Sequence, residues 1–562
     1  MSVFRSTLAQ INPSGEGRRW LFIPYDQLSD RIGPLHHGDP RDLGIVVVES
    51  SWKGERRPYH QQKLALILAN LRHFALEQAR RGVAVLHLST ELSFGDSLQP
   101  VIADVGSLTM MEAAERELRA DLAPLVEVGA IEVVPHEGWL TSTEQFEQSN
   151  PKGPPWRMDA FYRQVRRDTD LLMKDGKPVG GKYSFDSENR EAWAGEPEPP
   201  KFPTFEPDEI TLEVGELVRD RFDHHPGTLH LETLPASKDD AETLWKWALR
   251  ECIPTFGPYE DAMSHRSIGL FHTRISQLLN LCRLLAGQVV GDVAETDAPL
   301  ASREGFIRQV LGWREFVRHV HCAADGFRNL LDQRVEASTS PGDGGWSGWA
   351  GNTWTLPEAA DRVDGGAAPS FLEATHALPV AFWGTSSGLE CLDRVVAGVW
   401  STGYGHHITR LMVLGNLATL LAIAPRQLTD WFWAAYVDAY DWVVEPNVLG
   451  MATYALGDLM TTKPYVSGAA YIHRMSDFCD GCRFDPKKNC PITRLYWAFL
   501  ARHRKRLAEN PRMNLVLGSL RKRSAENRDL DQRIFDIVTE RLGDGAEIRL
   551  EDLEARPPSD SD

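Results

Sequence analysis

Three cysteines fall within twelve positions in the run "CDGCRFDPKKNCP", Cys479 to Pro491, and the last precedes a proline. Thiolates at CxxC spacing reach one tetrahedral zinc ion, which a third thiol and one distant ligand would complete. The same spacing with a Cys-Pro ending also suits an iron–sulfur cluster. Seven cysteines in 562 residues, an odd and sparse count behind an amino terminus without a secretory signal, argue against a disulfide framework. Spacing alone leaves cluster, zinc and unligated thiols open.

Other residue groups could do chemistry of a different kind. In "FHTRISQLLN" the hydroxyls of Thr273 and Ser276 stand at a helix start, where they and backbone N–H groups form an anion site suited to a pyrophosphate. "GYGHHITRLMVLGN" carries His406, His407 and Arg410 on one helix, with the two imidazoles about 100° apart around it. "YVDAYDWVVEPN" supplies Asp441 and, six residues on, Asn447. Singly, each has an ordinary structural reading as a cap, an ion pair or core packing.

These residues need elements to position them. "WLFIPY", "LGIVVVES", "VAVLHLS" and "AIEVVPH" read as buried strands, alternating with helices at "QQKLALILANLRHFALEQARRG" and "MMEAAERELRADL". The pattern predicts a parallel α/β (Rossmann-like) domain over 18–137 whose ligands gather at strand ends near Asp26 and Glu49; without GxGxxG, a dinucleotide is not indicated there. Pro- and Gly-rich pieces around one short helix predict a connector over 138–238. "DDAETLWKWALREC", "SREGFIRQVLGWREFVRHVHC" and "DWFWAAYVDAY" carry apolar residues at helical spacing, so 239–540 reads as all-α. Residues 541–562 read as an acidic tail.

Composition bounds the partners. Hydrophobic residues make up 42% and charged residues 25%, and no apolar run approaches a membrane span, so a cytoplasmic monomer is expected. Net charge is −18, yet from Thr461 to Leu530 fifteen Lys and Arg face six Asp and Glu. That excess permits a local nucleic-acid surface on an acidic protein.

Together, "FHTRISQLLN", "FIRQVLGWREFVRH" and "GYGHHITRLMVLGN…YVDAYDWVVEPN" resemble the photolyase and cryptochrome family. "WRMDAFYRQVRR", "GKPVGGKYSFDSENR", "TKPYVSGAAYI" and "CDGC…CP…LYW" resemble its iron–sulfur bacterial branch, the prokaryotic (6-4) photolyase-like proteins. The resemblance covers about Arg18 to Leu530. It implies FAD in the helical domain, with Thr273, Arg274 and Ser276 toward the phosphates, an Arg410–Asp441 pair beside the ring system, and Tyr259, Arg314 and Asn447 as further contacts. It implies a [4Fe–4S] cluster on Cys391, Cys479, Cys482 and Cys490, whereas Cys252, Cys282 and Cys322 match no ligand position.

The resemblance further implies a 6,7-dimethyl-8-ribityllumazine antenna at Asp26 and Glu49, although Tyr25 stands where the branch has glycine and could crowd the pocket. Trp383 and Trp431, with Trp433 beside them, suit electron hops toward the flavin. The implied activity is light-driven repair of UV-damaged DNA. The (6-4) photoproduct is indicated by His407 as proton donor, with His406 adjacent and Tyr465 as a second contact to the lesion. A blue-light photoreceptor without repair activity is the alternative.

Overall fold

The computed structural model describes residues 2–330, 333–334 and 366–554. Five parallel strands, β1 (Arg19–Phe22), β2 (Leu43–Ser50), β3 (Ala84–Thr90), β4 (Leu108–Met111) and β5 (Ile131–Val134), form one sheet in the order β3-β2-β1-β4-β5. Parallel sheets are covered on both faces, so their strands read as continuous apolar runs. In β2 every residue but the last is buried. Strand β4 was not expected: the residues read as the start of a helix at Met110 pair with β5, and the helix begins only at Arg116. A short apolar run such as "LTMM" has too little periodicity to distinguish the two forms.

Helix α1 (Gln61–Arg80) lies between the sheet and the helical region and is buried on nearly every face. Even its Lys63 is buried, the ammonium donating to the carbonyls of Ala439 and Trp433. Helix α2 (Glu209–Arg221) packs on α1 through Val214 and Val218. The expected connector is therefore more structured than its Pro and Gly content suggests. It contains three helices, Thr143–Ser149, Met158–Thr169 and α2, and its Phe161, Tyr162 and Val165 join the main core.

The remainder is helical. It includes α3 (Glu390–Thr402), α4 (Pro425–Ala435), α5 (Pro491–Arg502) and α6 (Ala525–Gly543), with α5 packed on α6. Among the described residues four wide, π-type segments interrupt the helices here, at Ala248–Cys252, Arg308–Arg314, Thr409–Gly415 and Pro446–Ala452. Such segments rotate side chains out of the regular register and recur at functional sites. Among the described residues no helix is long and apolar enough to cross a membrane.

The expected acidic tail is partly a packed element. Ile548 is fully buried, its N–H donating to the Ser387 carbonyl, and Leu550–Glu554 is helical. The rest of that tail, 555–562, lies outside the described residues.

Candidate functional site

The four cysteines named above converge. Cys391 sits in the first turn of α3 and is buried. Cys479 and Cys482 flank a tight turn in which Gly481 has φ +79°, a left-handed conformation that favours glycine. Cys490 caps α5, with Pro491 at its first position, where the missing N–H costs nothing. The segment between Cys482 and Cys490 is closed by Asp485, whose carbonyl accepts from the amides of Asn489 and Cys490. Burial, and then the nearness of Cys490, Cys479 and Cys482, push the Cys391 thiol well above its ordinary value. Burial, with neighbouring thiols adding to it, also raises Cys479 and Cys490, and a thiolate-binding metal centre would offset that cost.

A second assembly surrounds Arg410. Its two Nη atoms donate to both oxygens of Asp438 at 3.0 Å, and its Nε donates to the Gly405 carbonyl at 2.7 Å. Asp438 also accepts from the Ser276 hydroxyl at 2.6 Å, tying the Ser/Thr-rich turn to the ion pair. Burial would raise the Asp438 carboxyl, but Arg410 and Ser276 outweigh it and hold the group below its ordinary value.

The partner of Arg410 is thus Asp438 and not Asp441. Asp441, three residues later, opens a new helix and turns the other way, accepting the Glu117 backbone N–H at 3.0 Å across the domain boundary. Burial pushes its carboxyl up to about 6. Spacing could not separate two carboxylates in "VDAYD"; the turn at Val437–Asp438 decides which one faces Arg410.

A cavity of about 700 Å³ adjoins this assembly, within the range of cofactor pockets. Arg274, Gln277, Tyr404 and Val437 line it, together with Lys201 and Arg266. Arg274 lies over the rings of Phe202 and Tyr404 and has no carboxylate partner among the described residues. Thr273 is buried beside it. An unpaired guanidinium on a cavity of this size fits the diphosphate of a dinucleotide.

Three further expected contacts lie elsewhere. Tyr259 packs in a tilted arrangement against Phe271 and donates to the Glu196 carbonyl. Arg314 covers Trp139 and Trp442 at the domain boundary. The Asn447 amide donates to the Val443 carbonyl of its own helix.

Next to Arg410, His406 and His407 meet His272. The His272 and His406 rings stack at 4.4 Å, and His407 stands edge-on to His272 at 5.4 Å. His407 is 39% exposed, with Nε2 3.7 Å from Asp261 Oδ1. Asp261 accepts from the Tyr471 hydroxyl and lies 3.8 Å from Arg190. Tyr465 is half-buried near Asp186, Arg190 and Arg512, and burial, followed by Asp186, raises its hydroxyl's pKa.

The aromatic route is longer than the two tryptophans expected. Trp383 stacks on Trp400 at 5.2 Å, Trp400 meets Trp431 edge-on at 5.8 Å, and Trp431 meets Tyr436 at 6.0 Å. Arg410 lies over Tyr436 at 3.9 Å. Trp433 faces away from this row, under Arg57 at 3.7 Å. Trp400, Asp438, Asp261 and His272 were not singled out from the sequence. His272 and Asp438 lie inside quoted segments and Trp400 lies just upstream of one, whereas nothing local marks Asp261.

The strand-end site differs most from expectation. Glu49 accepts from Arg72 at 2.7 and 2.9 Å and lies 2.9 Å from His87 Nε2; burial would raise its carboxyl, but these partners hold it down at about 2. Asp26 is buried away from the nearby cavity, its oxygens without hydrogen-bond partners in normal geometry, and burial followed by Glu115 pushes it up to about 7. The cavity measures about 100 Å³ and is lined by Tyr25, Glu49, Lys53, Lys63, Glu115 and Tyr440, among others. Ligand pockets span about 300–1,000 Å³. Tyr25 reaches in and donates to Glu115, which also pairs with Lys53. These residues do not fit a lumazine held by Asp26 and Glu49.

Residues 21–233 match the family described as deoxyribodipyrimidine photo-lyase-related protein. The chain is 33% identical over 512 residues to a (6-4) photolyase of Agrobacterium fabrum (strain C58 / ATCC 33970), covering 87% of this chain and 92% of that protein. The chain belongs to the photolyase and cryptochrome family, whose members generally bind FAD. Solved structures similar to it include a bacterial class III photolyase from Agrobacterium tumefaciens, with TM-score 0.49 and 14% identity over 94% of this chain and 99% of that one. A Synechocystis sp. PCC6803 cryptochrome matches at the same TM-score and identity, over 92% and 94%.

Proposed function

We propose that this protein is a (6-4) photolyase, a light-driven lyase that reverts pyrimidine–pyrimidone (6-4) photoproducts in UV-damaged DNA. The observation that carries this reading is His407, half-exposed beside two buried imidazoles on the segment that carries Arg410. When bound, reduced FAD would supply light-driven one-electron transfer to the lesion.

The residues of the chain do the rest. Arg274, with Thr273 and Ser276, holds the diphosphate at the 700 Å³ cavity. Arg410, fixed by Asp438, supplies a buried positive charge that favours an anionic reduced ring system. His407 would carry the proton the lesion needs, and its Nε2 lies 3.7 Å from the Asp261 carboxylate. Tyr465, in the setting of Arg190 and Arg512, contacts the damaged strand. Trp383, Trp400, Trp431 and Tyr436 form the route by which the cofactor is reduced from the surface.

Cys391, Cys479, Cys482 and Cys490 would hold a [4Fe–4S] cluster, which staples α3 to the start of α5. A lumazine antenna forms no part of this proposal.

Replacing His407 by Ala tests the reading. General acids contribute about 10²–10⁴-fold, so repair of a (6-4) oligonucleotide should nearly vanish while flavin content and DNA affinity persist. Repair at the parental yield would overturn the assignment.

A further inference from the structure

We propose that His272, His406 and His407 form a binding site for one divalent transition-metal ion, open to solvent on the His407 side. Each residue offers one ring nitrogen, and the three nitrogens lie within 4.8 Å of one another. Tetrahedral coordination with metal–nitrogen bonds of about 2.0–2.1 Å brings ligand nitrogens to roughly 3.3 Å. The His272 and His406 rings stack 13° from parallel, so closure needs one of them to turn its in-plane lone pair toward the other's, together with rotation of the half-exposed His407 ring.

The independent sign of a ligand is unused bonding capacity. His272 is 8% exposed and His406 4%, yet His272 Nε2 and His406 Nδ1 have no hydrogen-bond partner. Buried polar atoms are usually satisfied, and two orphaned ring nitrogens in one cluster call for an acceptor of their lone pairs. Burial and the neighbouring imidazoles keep both rings neutral, the form that ligates.

Three neutral imidazoles select borderline ions such as Zn²⁺, Ni²⁺ or Cu²⁺ over hard Mg²⁺ or Ca²⁺. Three protein ligands leave a fourth position for water. The Asp261 carboxylate beside His407 and the exposed ring edge give a cation its way in. Loading the site uses the His407 lone pair that would otherwise take a proton, so the ion acts as an inhibitor. That consequence rests on the proposed function; binding does not.

The test is calorimetric titration of the full-length protein, cofactors in place, with Zn²⁺, alongside His407→Ala and His272→Gln. One site is expected in the parent. Losing an outer partner of a metal ligand already costs about 10–100-fold, so each variant should weaken Zn²⁺ by at least about tenfold, with the parental visible spectrum retained. If His272→Gln fails to fold, the more exposed His407→Ala decides alone. In the repair assay Zn²⁺ should inhibit and a chelator restore the rate; inhibition that fails while binding holds would overturn only the role of His407 in repair. No binding, or binding that persists in the variants and so belongs to the thiols, would overturn the site.

Discussion

Replacing Asp438 by Asn removes the charge that holds Arg410 while preserving shape. The parent pair makes two 3.0 Å charge-assisted bonds, with Asp438 nearly inaccessible and Arg410 about one-fifth exposed. At 4 Å separation and an effective dielectric of 20, the attraction is about 4 kcal/mol. Breaking a buried pair by removing one partner costs about 3–5 kcal/mol. The same carboxylate accepts from Ser276, so the loss spreads to the turn that carries Arg274. If that cost falls on the flavin-binding conformation, FAD affinity drops about 10²–10⁴-fold. The assay is the flavin-to-protein absorbance ratio after gel filtration. Asp441→Asn is the control: its carboxyl is already pushed up to about 6, so neutralising it removes a burden above that pH, and the amide oxygen still accepts from Glu117. The account expects flavin-poor Asp438→Asn and flavin-replete Asp441→Asn. The reverse pattern would refute the pairing argument.

Other outcomes follow from the same geometry. Protein purified without oxygen should contain about four irons and four sulfides, and Ser at Cys391 should give poorly folded, iron-poor material; stoichiometric zinc without sulfide would contradict this. Trp400→Phe should slow flavin photoreduction with FAD content unchanged, because the oxidisable indole between Trp383 and Trp431 is replaced by a phenyl ring that does not readily lose an electron; an unaltered rate would remove Trp400 from the route. Asp26 has a folded value raised from 3.8 to about 7, so its neutral form is favoured by folding. Stability from this group is therefore complete below pH 4 and lost as pH rises toward 7, by at most about 4 kcal/mol. Asp26→Asn should thus gain thermal stability relative to the parent at pH 8 and show little difference at pH 4.

Four of the five strands and the main helices were legible because their burial is regular: β2 and α1 are long, and their periodicities are unambiguous. Met158–Thr169 was legible within 138–238, but strand β4, Thr143–Ser149 and α2 were not, since four residues carry no period and Pro-rich flanks mask Val214 and Val218. In the site, the cysteines were legible from spacing and resemblance. The Arg410 partner was not, because a turn rather than a spacing selects Asp438 over Asp441. The strand-end carboxylates misled for a different reason. A position at a strand end says where a ligand could gather, but Glu49 is consumed by Arg72 and His87, and Tyr25 fills the space.

The most direct test of the central claim is product analysis after blue-light illumination of the reduced protein with an oligonucleotide containing one (6-4) lesion. The account predicts restoration of the two original pyrimidines, dependent on light and on His407. A flavin spectral change without any restored product would contradict it and leave a photoreceptor.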